Sequence, residues 1–189
     1  MTGTSAEAVE GLLTVCFPDA RTICDPTYGQ GHFWRGSVRQ VFAGDACPDR
    51  ARDCRLDFRA LPFGDGSVDV LIYDPPLQPQ TSRVVPGERE RRFTHMGNGV
   101  DQLRAIMTEG LHECRRVARL GLIVKVQDYI HSHRPVWMSL WVWDALGTPY
   151  DFLTLRQQTP KMRASNWKGQ RSVWRNHSTF WVYRVRGRR

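Results

Sequence analysis

The chain has 189 residues, 41% of them hydrophobic and 24% charged, the composition of a folded globular protein, with 27 Lys and Arg against 19 Asp and Glu for a net charge of +8. That length buries roughly 70% of the unfolded surface in one core, so one domain over residues 1–189 is expected rather than two. Five cysteines (Cys16, Cys24, Cys47, Cys54, Cys114) without knuckle spacing speak against a disulfide scaffold or a metal site, and no apolar run nears the roughly 20 residues of a membrane helix, so a reduced, cytoplasmic chain away from membranes is expected.

In chain order, SAEAVEGLL (5–13) reads as a short helix, with Ser5 as its cap and Ala8, Val9, Leu12 and Leu13 on one face. Seven short apolar runs of strand length follow: TIC (22–24), VRQVFA (38–43), CRLDF (54–58), VDVLIY (68–73), LGLIVKV (120–126), DFLTLRQ (151–157) and TFWVYRV (179–185). Between the fourth and fifth, residues 99–119 carry Val100, Leu103, Ile106, Met107, Leu111, Cys114 and Val117 mostly three or four apart, the spacing of an amphipathic helix. RPVWMSLWVWDALG (134–147) fits another helix, with Pro135 early in it, Gly147 at its end, and Trp137, Trp141 and Trp143 packed on the sheet. No acid or cysteine accompanies His131 and His133 in the sequence to complete a metal site, and both are expected to face solvent.

Strands alternating with helices predict an α/β protein of three layers, α/β/α and Rossmann-like, around a seven-stranded, mostly parallel sheet. The last two runs have no helix between them and predict an antiparallel pair at one edge. Segments 78–98 and 159–176 are irregular and Arg-rich, the character of substrate-facing loops.

The charge is uneven. From Tyr150 onward, Arg156, Lys161, Arg163, Lys168, Arg171, Arg175, Arg184, Arg186, Arg188 and Arg189 face the single acid Asp151. Such a balance suits either a solvated tail or an anionic partner, nucleic acid above all. Aromatic residues are interleaved with the basic ones, Phe93 beside Arg91 and Arg92, and Trp167 and Trp174 around Arg171, which fits phosphate neutralisation combined with base stacking.

Two strand ends carry the chemistry. In RTICDPTYGQGHFWRG (21–36), Gly29 and Gly31 let the backbone pass close to a bound molecule at the first strand-to-helix turn, the usual cofactor position of an open parallel sheet. The third glycine of the dinucleotide fingerprint is replaced by Trp34, and His32 sits within the turn. Twenty residues after Asp25, Asp45 is placed to accept from ribose hydroxyls, and Asp57 to accept from an adenine amine. A GxG pair alone is ordinary turn material; acids at three successive strand ends are more than that.

The second strand end is YDPPL (73–77). Pro75 and Pro76 cannot extend a strand ladder and hold the chain extended, so Asp74 and the Pro75 carbonyl project together beyond the sheet. Two rigid acceptors form a receptor for an NH2 group; pulling on its hydrogens favours a pyramidal, more nucleophilic nitrogen, and the acid stabilises developing positive charge. Asp74 as a helix cap beside a tight Pro-Pro turn is the plainer alternative.

DPTYGQG (25–31) followed by DPPL (74–77) resembles the S-adenosylmethionine-dependent DNA amino-methyltransferases, the adenine N6 or cytosine N4 type with an Asp/Asn/Ser-Pro-Pro-aromatic motif. LIVKVQDY (122–129) and RNHSTFWVYRV (175–185) resemble that family's fifth and closing strands. The resemblance implies S-adenosylmethionine as cofactor, with Asp25, Thr27, Tyr28, Gly29 and Gly31 around its methionine part, Asp45 at its ribose, and Asp57 with Phe58 at its adenine. It implies Asp74, Pro75 and Pro76 as the catalytic corner, and a nucleic-acid partner, DNA ahead of RNA. Leu77, Arg91, Arg92, Phe93, Trp167, Arg171, Trp174, Asn176 and His177 would then face the substrate, with His177 equally suited to a structural role at a strand start.

Three features depart from the family's pattern. Leu77 stands where the family has an aromatic, and losing that flat face forfeits about 1–3 kcal/mol of base stacking. Thr27 replaces a Phe, and the chain is short for a recognition domain, so a long specific site would call for a homodimer. Alternatives are an RNA guanine N2 or adenine N6 methyltransferase, a small-molecule amine methyltransferase, and a non-catalytic nucleic-acid-binding relative.

Overall fold

The computed structural model describes residues 3–75, 99–156 and 177–185. The first helix, α1 (Ser5–Cys16), is capped one residue earlier than expected: Thr4 accepts from the Glu7 N–H while the Glu7 carboxylate accepts from the Thr4 N–H, a reciprocal capping box. Ser5 is therefore the first helical residue, and Ala8, Val9, Leu12, Leu13 and Cys16 form the buried face.

Nine strands follow: β1 (Ile23–Asp25), β2 (Val41–Asp45), β3 (Cys54–Arg55), β4 (Val68–Tyr73), β5 (Ala118–Val126), β6 (Tyr129–His131), β7 (Arg134–Val136), β8 (Asp151–Arg156) and β9 (His177–Arg184). Seven of them form one sheet in the order β3-β2-β1-β4-β5-β9-β8. β1 to β5 run parallel, and β9 is antiparallel to both β5 and β8, which gives the expected edge pair.

Two helices cover the opposite face from α1: α2 (Val100–Val117) and α3 (Met138–Leu146). Strand alternation divides the core accordingly. Val70, Ile72, Ile123, Phe180 and Val182 pack toward α1, whereas Leu71, Tyr73, Leu122, Val124 and Val126 pack toward α2 and α3.

The three layers are thinner than strict alternation implies. The β1–β2 connection holds only a 3-10 turn, His32–Trp34, and the β2–β3 connection only Pro48–Arg50. Pro26 and three glycines at positive φ (Gly29, Gly31 and Gly36) leave no uninterrupted stretch for a longer helix after β1.

The run at 134–147 also divides differently. Arg134–Val136 pairs with Tyr129–His131 as a hairpin across Ser132 and His133, both at positive φ, and Pro135 sits in its second strand rather than at a helix start. The helix begins at Met138, where the Asp128 carboxylate accepts from the Ser139 N–H and hydroxyl at 2.9 and 3.1 Å. Of the three tryptophans only Trp141 is buried; Trp137 precedes the helix and is 43% exposed, and Trp143 is 47% exposed with its ring edge-on to Trp181. Among the described residues no helix is long and apolar enough to cross a membrane.

Candidate active site

The parallel strands β1, β2 and β4 end side by side, and their acids meet at the carboxyl edge of the sheet. Asp25 is 1% exposed. Its Oδ1 accepts from the Thr27 N–H and hydroxyl at 3.0 and 3.1 Å, and its Oδ2 accepts from the Trp34 indole N–H at 2.7 Å. Desolvation by burial pushes its carboxyl up to about 7, against the lowering effect of the Trp34 and Thr27 bonds, and the nearby Asp74 adds to the rise. Among the described residues Asp25 has no ion-pair partner.

Thr27 joins the two strand ends. Its hydroxyl donates to Asp25 and accepts from the Asp74 N–H at 2.9 Å, so the turn after β1 and the corner after β4 are held in one hydrogen-bonded unit. Gly29 donates its N–H to Asp45 Oδ2 at 2.9 Å, and Cys47 donates to Asp45 Oδ1 at 2.8 Å, which ties the glycine turn to the end of β2. Each carboxylate oxygen keeps one acceptor site beyond these bonds. Gly29 and Gly31 have φ of 58° and 66°, a conformation that a side chain disfavours, and a Cβ on Gly31 would lie 2.5 Å from the Tyr28 hydroxyl. The Tyr28 ring in turn lies against the Arg52 guanidinium, 5.4 Å from its centroid.

At the acid-proline corner after β4, Pro75 is buried and the Asp74 side chain is 28% exposed. Asp74 Oδ2 accepts from Lys125 Nζ at 3.0 Å. Burial raises the Asp74 carboxyl above its ordinary value, with Lys125 and, more distantly, His32 pulling it back. His32 is exposed at the mouth, its ring bonded to the Gln30 side chain at 2.9 Å.

Two expected cofactor contacts are altered. Both oxygens of Asp57 are engaged by Arg59, at 2.7 to 3.0 Å, so an incoming amine would share them with a guanidinium. Phe58 is turned into the core, edge-on to Tyr73 with ring centroids 5.4 Å apart and close against Gly110 in α2.

His177 opens β9 at this same edge of the sheet, one position beyond Ser178, whose hydroxyl donates to Gln127 at 3.2 Å. Pro76, Leu77, Arg91, Arg92, Phe93, Trp167, Arg171, Trp174 and Asn176 lie outside the described residues. Sequence reasoning missed Lys125 and the Trp34 bond to Asp25. A lone lysine inside the apolar run LIVKV, and a tryptophan where a glycine was expected, were the available signals.

No family model and no curated protein matches the chain. Solved structures do. An S-adenosylmethionine-dependent methyltransferase of Thermotoga maritima superposes with a TM-score of 0.54 at 11% identity, covering 96% of this chain and 88% of its own. One from Archaeoglobus fulgidus gives 0.51 at 10% identity, covering 95% and 94%. The 1,6-didemethyltoxoflavin-N1-methyltransferase of Burkholderia thailandensis, with S-adenosylhomocysteine bound, gives 0.54 at 12% identity, covering 95% and 77%. The chain therefore has the Rossmann-like fold of the S-adenosylmethionine-dependent methyltransferases.

Proposed function

We propose that this protein is an S-adenosylmethionine-dependent methyltransferase acting on an exocyclic amino group of a nucleic-acid base, adenine N6 in DNA foremost and cytosine N4 next. The observation that carries the reading is the single unit formed by Asp25, Thr27 and Asp74, which fixes a rigid acid-proline corner beside a buried, cation-seeking carboxylate at the carboxyl edge of a methyltransferase sheet.

The residues present fit the cofactor. Asp25, buried without an ion-pair partner among the described residues, is suited to the positively charged methionine end. Gly29 keeps the approach open, and the free acceptor sites of Asp45 suit the ribose hydroxyls. When bound, S-adenosylmethionine supplies an electrophilic methyl group on a sulfonium centre.

Asp74 Oδ1 and the Pro75 carbonyl then accept the two N–H groups of the target amine and orient its lone pair, and positioning supplies much of the acceleration. The proton released from the methylated nitrogen passes to Asp74 and on to solvent. The net charge of +8 and the Arg-rich stretches at 78–98 and 159–176 favour a polyanionic substrate.

The test is incubation with isotopically labelled donor and separate pools of DNA, RNA and free nucleosides, followed by digestion and mass identification of the product. N6-methyladenine or N4-methylcytosine in the DNA pool supports the proposal. Label confined to free nucleosides, or found in no pool, rejects it.

A further inference from the structure

Lys125 is the one charged side chain in the inner stretch of β5, where Leu122, Ile123, Val124 and Val126 are buried. Its own side chain is only 13% exposed. Holding an ammonium there costs several kcal/mol of desolvation, and an apolar residue of similar size would serve packing at least as well. The lysine sits where function, not packing, accounts for it.

Its place is set by register. Tyr73 pairs with Val124, so the next residues on the two strands, Asp74 and Lys125, come abreast at the carboxyl edge. Nζ bonds Asp74 Oδ2 at 3.0 Å and lies 5.2 Å from the centroid of the Phe33 ring. An ammonium has three N–H donors. One is spent on Asp74 and one face on the ring, which leaves donor capacity beside the position where an amine would meet Asp74 Oδ1.

We infer that Lys125 is a substrate-recognition group of the acceptor site, donating a hydrogen bond to the ring nitrogen adjacent to the amine that Asp74 and Pro75 hold. This rests on the proposed methyltransfer to a base amine. A corner of acceptors alone would take any primary amine; acceptors flanked by a donor select the N–H and ring-nitrogen edge of an aminoheterocycle. Adenine (N6 with N1) and cytosine (N4 with N3) both present that edge, whereas an alkylamine does not. Because Lys125 shares its charge with Asp74, the corner stays near neutral overall and does not oppose the positive charge that builds on the nitrogen. Donation to the ring nitrogen draws electrons from the amine, so its benefit falls on substrate binding more than on the rate of transfer.

The test compares wild type, Lys125→Met and Lys125→Gln on oligonucleotides containing the modified base or its analogue with carbon in place of that ring nitrogen, 1-deazaadenine or 3-deazacytosine. Wild type is expected to lose on the order of 10- to 100-fold in kcat/KM on the deaza analogue, mostly through KM. Lys125→Met should lose a similar factor on the natural base and no longer distinguish the two substrates, and Lys125→Gln, which keeps a donor, should recover part of the discrimination. Calorimetry with S-adenosylhomocysteine checks that the variants still bind at the cofactor site. Wild type that methylates both substrates equally, or a methionine variant that discriminates as wild type does, overturns the role of Lys125 while leaving the methyltransferase reading intact. Absence of transfer by wild type to any base overturns both.

Discussion

Thr27→Val tests whether the turn after β1 and the acid-proline corner after β4 are one unit. The change is nearly isosteric and removes a hydroxyl that donates to Asp25 at 3.1 Å and accepts from the Asp74 N–H at 2.9 Å. The bond to Asp25 is worth about 1 kcal/mol net, and leaving the part-buried Asp74 N–H without its partner costs about 1–3 kcal/mol. The sum is about 3 kcal/mol. For a chain of this size that corresponds to a fall in Tm of roughly 6–12 °C, since each kcal/mol shifts Tm by about 2–4 °C. Thr27→Ser keeps the hydroxyl and loses only a methyl group, so it serves as the control. Urea and thermal unfolding followed by circular dichroism should separate the two variants by most of that amount, and transfer activity should fall in the valine variant more than in the serine one. Stabilities of the two variants within about 0.5 kcal/mol of each other would refute the coupling.

The remaining predictions concern the two acids and the packing beneath them. Asp25 has a carboxyl raised to about 7 from an ordinary 3.8, so the folded state holds its proton more tightly than the unfolded one, and its contribution to stability is full below about 4 and lost as pH rises to about 7. Asp25→Asn, which cannot titrate, should therefore lose the fall in stability between about pH 4 and 7, whatever its amide forfeits in hydrogen bonds, and equal pH dependence of the two in chemical denaturation would contradict this. If Asp25 holds the cationic end of the cofactor as proposed, it does so in its ionised form, so cofactor affinity measured by calorimetry should climb with pH up to about 7 and then level off; a flat profile from pH 5.5 to 8 would remove Asp25 from the site. Asp74→Ala should abolish transfer while cofactor binding persists, and normal turnover in that variant would exclude the proposed receptor. Gly110→Ala would bring a Cβ within 2.5 Å of the Phe58 ring and 2.6 Å of the Tyr73 hydroxyl; it should destabilise by about 1–2 kcal/mol after the helical gain of alanine, which a denaturant midpoint will show.

Much of the architecture was legible because it depends on local pattern. The run VDVLIY became β4 over Val68–Tyr73, buried at every position, and the amphipathic spacing at 99–119 became α2 with its apolar stripe inward. Glycine and proline likewise located the turn after β1 and the corner after β4, since both constrain the backbone regardless of what surrounds them. Where local signals competed, the tertiary structure chose. Pro135 in RPV signals a helix start, yet pairing with Tyr129–His131 makes the segment a strand. Phe58 satisfied both a cofactor motif and a core position, and its ring packs against Tyr73 and Gly110.

By itself, then, the sequence determined where the seven strands of the main sheet lie, that several of their ends carry acids, and that one end is stiffened by prolines. Only the tertiary structure decided what those acids touch. Lys125 reaches Asp74 across 51 residues of chain and Thr27 reaches the Asp74 N–H across 47, and such partnerships follow from strand order and register, which no periodicity within a single segment encodes. Burial is collective in the same way: Asp25 acquires a carboxyl near 7 because the surrounding elements together exclude water from it.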